Sequence, residues 1–190
     1  MGNAKRKKAL LIIDVQNDFC PGGKLSVPEG EAVVPVINSL SRGFDKVIAT
    51  QDWHPPGHVS FKLWPDHCIA GSTGADFHPG LDLKPVDLII RKGTSPGLDS
   101  YSAFFENDRK TVTGLASYLS GLAIHDVYLA GLAADVCVYY SALDAIRLGL
   151  KVTLLVDAAR GIDTPPGTLK DKLEEMERLG VVLLNSKELT

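Results

Sequence analysis

The chain predicts an α/β fold, a single doubly wound six-stranded parallel sheet with helices on both faces. Short β-rich apolar runs alternate with segments of helical periodicity, which is the pattern of repeated βαβ units. The runs are continuously apolar rather than alternating, as strands covered on both faces must be. Their ends carry chemistry: ALLIID finishes at Asp14, KVIATQD at Asp52, DLIIRK at Lys92, and VYLAGLAADVC leads to Cys137. Open parallel sheets bind ligands beyond the carboxyl ends of their strands. An acid, a metal-ligand type, a cation and a thiol should therefore meet on one rim, which is the layout of an enzyme.

The first strand is expected from Lys8 to Asp14. Pro28-Glu29-Gly30-Glu31 opens a helix through Ser41, with Val33, Val34, Val36, Ile37 and Leu40 as its buried stripe. Strands follow from Lys46 to Thr50 and from Leu88 to Arg91, then a helix from Asn107 to Leu122. The fourth strand runs from Val127 to Ala130, and its helix from Asp135 to Leu148 is stopped by Gly149. Val152 to Val156 is the fifth strand, Pro166 to Leu179 an amphipathic helix ended by Gly180, and Val181 to Leu184 the last strand. Two stretches, 52–86 and 93–106, have little periodicity, and long structureless connections in a compact domain are usually functional or disordered. The first holds four of the five histidines, which favours function; the fifth, His125, reads as a surface residue before the fourth strand, and His78 as unremarkable.

At 190 residues the chain suits one domain, 1–190, with residues 1–7 as a flexible tail. A net charge of −3 gives no bulk attraction to nucleic acid or anionic membrane, and the Lys5-Arg6-Lys7-Lys8 cluster reads as a solvated segment. The apolar stretch behind that cluster stops at Asp14 with no cleavage site after it, and Arg6 stands where a myristoylation motif needs Ser or Thr. No segment approaches the ~20 apolar residues of a spanning helix. Cys20, Cys68 and Cys137 show no CxxC spacing, which suits a reducing, cytoplasmic setting. Cys20 and Cys68 read as structural.

Asp52, His54 and His67 offer three N/O donors and would leave room on a divalent ion for water or substrate. Asp-x-His at a strand end points both side chains one way. His58 is either a fourth ligand or an outer partner. Spacing alone leaves metal binding and ordinary loop histidines equally open. Asp14 either caps a turn or accepts protons, and Asp18 reads as a turn residue. Cys137 lies where a strand becomes a helix; N–H groups there lower a thiol pKa and can hold an oxyanion, although a buried inert cysteine is the commoner fate. Lys92 matters through its position at a strand end before Gly93.

Together these segments resemble the nicotinamidases of the isochorismatase-like cysteine hydrolase superfamily. The matching stretches are DVQNDFCPGG from Asp14, TQDWHP from Thr50, WPDHC from Trp64, RKG from Arg91 and GLAADVCV from Gly131, in family order across about residues 8–160. The metal-loop pair is the specific part, since isochorismatases and carbamoyl-amide hydrolases generally lack it. The resemblance implies a Cys137-Asp14-Lys92 triad acting through a thioester. It implies an oxyanion hole from the N–H groups of Ala133 and Cys137, with a cis peptide between Leu132 and Ala133. It also implies a ring pocket of Phe19, Trp64, Tyr101 and Ala133, and one divalent metal on Asp52, His54 and His67. Zinc suits these ligands best, with iron or manganese as alternatives, and His58 ligates in only some relatives. Asp66 stands where some relatives carry proline. The implied reaction converts nicotinamide to nicotinate and ammonia in NAD salvage, with pyrazinamide accommodated, and the resemblance leaves a homo-oligomer open. The rivals are a metal-independent hydrolase of another amide or carbamoyl compound, a non-catalytic binding protein and a redox sensor built on Cys137.

Overall fold

The structure, a computed structural model, describes residues 6–189. The expected tail therefore lies mostly outside the described residues. Six strands form one all-parallel sheet: β1 (Lys8–Ile13), β2 (Lys46–Asp52), β3 (Leu88–Lys92), β4 (Asp126–Leu132), β5 (Lys151–Arg160) and β6 (Val182–Leu184). Their order is β3-β2-β1-β4-β5-β6, so the winding reverses between β1 and β4. That switch point opens a crevice at the strands' carboxyl ends, and the segments carrying Asp14 and Cys137 leave β1 and β4 on its two sides.

Helices α1 (Val33–Leu40), α2 (Leu115–Gly121), α3 (Cys137–Arg147) and α4 (Thr168–Arg178) cover the sheet. Successive residues of β1 feed opposite cores. Ala9, Leu11 and Ile13 pack with Leu115 and Leu119 of α2, Val138 and Ala142 of α3, and Met176 of α4. Leu10 and Ile12 pack with Val33, Val34 and Ile37 of α1 on the other face. This two-sided burial is why the strand sequences do not alternate.

Several boundaries differ from the sequence expectation, among them the first helix, expected from Pro28 and observed from Val33. The helix expected over Asn107 to Leu122 begins only at Leu115. The Asp108 carboxylate accepts the N–H groups of Lys110 and Thr111, and Phe105 bridges Val112, so local turn bonds win over the helix. β2 and β3 each run further, taking in Asp52 and Lys92, which are register partners. β5 continues to Arg160 through a register shift against β4. At the switch point itself Gly131 has φ 114°, and a Cβ there would lie 2.1 Å from the Ile13 carbonyl oxygen. Only glycine lets β1 and β4 approach this closely. Among the described residues no helix is long and apolar enough to cross a membrane.

Candidate active site

Lys92 is among the largest fully buried side chains of the described residues, and its surroundings explain how a cation survives there. Its ammonium lies 2.8 Å from Asp14 Oδ2, bonds to Asp52, donates to the Ser100 carbonyl at 3.0 Å and approaches Cys137 Sγ at 3.7 Å. Burial works against its charge, but Asp14 and Asp52 hold its pKa well above the ordinary value. A lone buried ammonium would lose its proton; one between two carboxylates keeps it.

Asp14 leaves β1 with φ 47°. Its N–H donates to Thr50 Oγ1 at 3.1 Å and the Thr50 hydroxyl donates back to Oδ1 at 2.5 Å. Oδ2 has no hydrogen-bond donor of acceptable geometry, despite the nearby ammonium. One carboxylate oxygen is thus fixed by Thr50, and the carboxylate comes within 4.8 Å of Cys137 Sγ. Burial raises the Asp14 pKa, helped by Asp52 and opposed by Lys92, which makes it a stronger base.

Cys137 begins α3 and is buried. The sequence suggested that helix N–H groups would lower its pKa. Instead burial pushes the thiol well above its usual range; Lys92 opposes the rise, and Asp14 and Asp52 add to it. The resting group is a thiol, so a base must take its proton. Just before it, the Leu132–Ala133 peptide is cis. The loop hydrogen bonds here occupy the N–H groups of Ala134, Val136 and Val138, not those of Ala133 or Cys137.

Asp52, His54 and His67 converge with donor atoms within 4.8 Å of one another. Asp52 Oδ2 lies 3.6 Å from His54 Nε2 and 3.9 Å from His67 Nε2. His54 Nδ1 donates to the Gly93 carbonyl at 2.9 Å and His67 Nδ1 to that of Pro65 at 2.7 Å. These bonds select the tautomer that turns each Nε2 lone pair toward the carboxylate. His54 Nε2 is buried without a hydrogen-bond partner. Lone pairs aimed at a carboxylate oxygen repel unless a cation stands between them, so the three donors fit a divalent ion. Burial lowers the His67 pKa, which keeps that ring in the ligating form; His54 is raised because Asp52 outweighs its burial. Burial alone would raise Asp52, but Lys92 and His54 hold it below the usual carboxylate range.

His58 is brought alongside without facing this centre. Its ring stacks on His54 at 4.1 Å, Nδ1 pairs with Ser60 Oγ at 2.7 Å and Nε2 with the Leu98 carbonyl at 3.1 Å. Gly93, whose carbonyl accepts from the His54 ring, has φ 63°, and a Cβ there would sit 2.5 Å from that ring. Gly93→Ala is therefore expected to displace His54 and weaken metal retention by at least about tenfold, by analogy with the loss of an outer-shell partner. Competition with a chromogenic chelator checks this.

The cavity between thiol and donor trio is walled by Phe19, Trp64, Tyr101 and Ala133, and reaches Asp52, His67 and Cys137. Trp64 Nε1 donates to the Tyr101 hydroxyl at 3.2 Å, tying two irregular segments together. The cavity is narrow, about 30 Å³, and Trp64 and Tyr101 stand half-buried in its wall. All eleven residues singled out from sequence thus lie in or beside one crevice.

Sequence reasoning missed several supports. Thr50 holds Asp14. Gln16 clamps the Asp52 backbone, accepting its N–H at 2.8 Å and donating to its carbonyl at 2.9 Å. Asp18, read as a turn residue, is buried and accepts the Cys68 N–H at 2.7 Å, anchoring the His67 loop. Asp99 also lines the cavity. The signals for Gln16 and Asp18 were their place just past the first strand's end and within the matching stretch from Asp14.

Comparison with known proteins agrees with this architecture. The sequence model of the Isochorismatase domain matches residues 8–188. A nicotinamidase from Acinetobacter baylyi is 42% identical over 95% of this chain and 94% of its own. The structure of PnC1 from L. infantum in complex with nicotinate superposes with TM-score 0.94 at 40% identity, covering 98% of this chain and 96% of that one. A pyrazinamidase from Pyrococcus horikoshii in complex with zinc gives 0.86 at 38%, covering 94% and 99%. Likeness this extensive runs through every strand end that carries chemistry, and the chain belongs to the isochorismatase family, among its nicotinamidases.

Proposed function

We propose that the chain is a metal-containing nicotinamidase, hydrolysing nicotinamide to nicotinate and ammonia and so serving NAD salvage, with pyrazinamide as an accommodated analogue. The observation that carries this reading is one aromatic-walled cavity joining a buried thiol, with its carboxylate and ammonium, to a trio of N/O donors. Relatives named for nicotinamidase and pyrazinamidase activity support the substrate class.

In this reading the amide carbon sits over Cys137 with the ring between Phe19, Trp64 and Tyr101. Asp14 Oδ2 takes the thiol proton as sulfur attacks, and Lys92 keeps the pair of carboxylates tolerable while the proton moves. The N–H groups of Ala133 and Cys137 receive the developing oxyanion. Asp14 then hands its proton to the amide nitrogen, the C–N bond breaks, and ammonia leaves a thioester on Cys137. Water, deprotonated by Asp14, attacks that carbonyl; the acid departs and the sulfur recovers its proton. Asp52, His54 and His67 would hold one divalent ion, zinc by donor chemistry, which supplies a Lewis acid for the pyridine nitrogen. His58 packs behind His54 and is assigned no ligand role. The three free cysteines suit a reducing compartment, and we place the activity in the cytoplasm.

Ammonia release from nicotinamide is expected to fall about 100-fold or more on chelation, because a misplaced ring loses its attack geometry, and to return when zinc is restored. Release that survives chelation would move the reading to a metal-independent amide or carbamoyl hydrolase.

A further inference from the structure

We propose that Asp99 sets the charge selectivity of the pocket, so that the anionic product is not retained in place of the neutral substrate. The inference rests on the nicotinamidase reading and concerns a residue outside its catalytic and metal-holding sets.

Asp99 lines the same cavity as Asp52, His67 and Cys137. Its carboxylate comes within 4.8 Å of ring nitrogens of His54 and His58. Its place is held from both directions: Oδ1 accepts the Ser100 N–H at 2.8 Å, and its carbonyl accepts the Asn107 N–H at 2.8 Å. Among the described residues lining the cavity none is lysine or arginine. The nearby Lys92 ammonium is fully buried and already shared between Asp14 and Asp52.

The charges then decide the matter. Asp14 and Lys92 cancel. Asp18 and Glu106 are bonded to the loop N–H groups of Cys68 and Gly93 and do not line the cavity, so a divalent ion held by Asp52 and two neutral histidines leaves one positive charge facing the ligand. The substrate amide is neutral, whereas the product acid is an anion on the same ring. A pocket with surplus positive charge would favour product over substrate, and each turnover would end in a slow release. The Asp99 carboxylate removes that surplus. Its half-exposed position weakens the effect, which should lie at about threefold to tenfold in affinity.

The test compares metal-loaded wild type, Asp99→Asn and Asp99→Glu by titration calorimetry with two ligands, nicotinate and the neutral pyridine-3-methanol. Asn keeps the acceptor for the Ser100 N–H, and metal content and thermal unfolding are measured on each variant. The expected result is nicotinate bound about threefold to tenfold more tightly by Asp99→Asn, pyridine-3-methanol unchanged, and Asp99→Glu close to wild type. Unchanged nicotinate affinity, an equal shift for both ligands, or loss of metal from Asp99→Asn would overturn the proposal; the last would make Asp99 a ligand. If wild type binds neither ring, the nicotinamidase reading fails and this inference falls with it.

Discussion

Cys137→Ala is expected to lower ammonia release by about 10⁴-fold or more, since removing the nucleophile of an acting unit costs nearly the whole catalytic gain. The protein should still fold. Cys137 is small, sits at a helix start and has its sulfur 3.7 Å from the Lys92 ammonium, so removing that sulfur takes away little packing. Substrate binding should persist, because the aromatic walls and the Asp52, His54 and His67 donors are untouched. Acid quenching of wild type during turnover should trap the acyl group on Cys137, seen by mass spectrometry of its peptide. A Cys137→Ala protein retaining a tenth of wild-type turnover would exclude the thioester route.

Lys92→Met should have the largest effect on stability. It leaves the Asp14 and Asp52 carboxylates buried together without their shared cation. Breaking a buried pair by removing one partner costs about 3–5 kcal/mol, which in a chain of this size corresponds to a fall in Tm of roughly 6–20 °C. Activity should collapse as well. Without the ammonium, burial and the neighbouring carboxylate raise Asp14 further, so it holds a proton and no longer accepts one from the thiol. Metal should recover part of the stability but not the activity, because a cation on Asp52 relieves one carboxylate and leaves Asp14 protonated. Differential scanning calorimetry with and without zinc reads the first effect and ammonia release the second. A metal-free Lys92→Met protein as stable as wild type would show that the lysine does not hold the two carboxylates in place.

Much of this architecture was legible along the chain because its cause is local. A strand covered on both faces must be apolar throughout, so β1 and β2 stand out from their composition, and chemistry at their ends follows from the parallel winding. Asp14, Asp52, Lys92 and Cys137 were found in that way. The helix expected from Asn107 was not, since the Asp108 side chain competes for the same backbone N–H groups and periodicity does not register that competition.

What the sequence by itself determined is the sheet, its six strands, and which residue types stand at its carboxyl rim. Only the tertiary structure decided how they are joined. It brought Lys92 between two carboxylates that lie 40 and 78 positions away, directed His58 to Ser60 and Leu98 rather than to the metal donors, and raised the Cys137 thiol that a helix start alone would lower. The physical reason is that charge, hydrogen-bond direction and desolvation depend on distances across the fold, whereas apolar periodicity depends only on neighbours along the chain. Asp99 illustrates the difference: along the chain it is one acid in an irregular segment, and in the folded protein it is a carboxylate facing the cavity that holds the thiol.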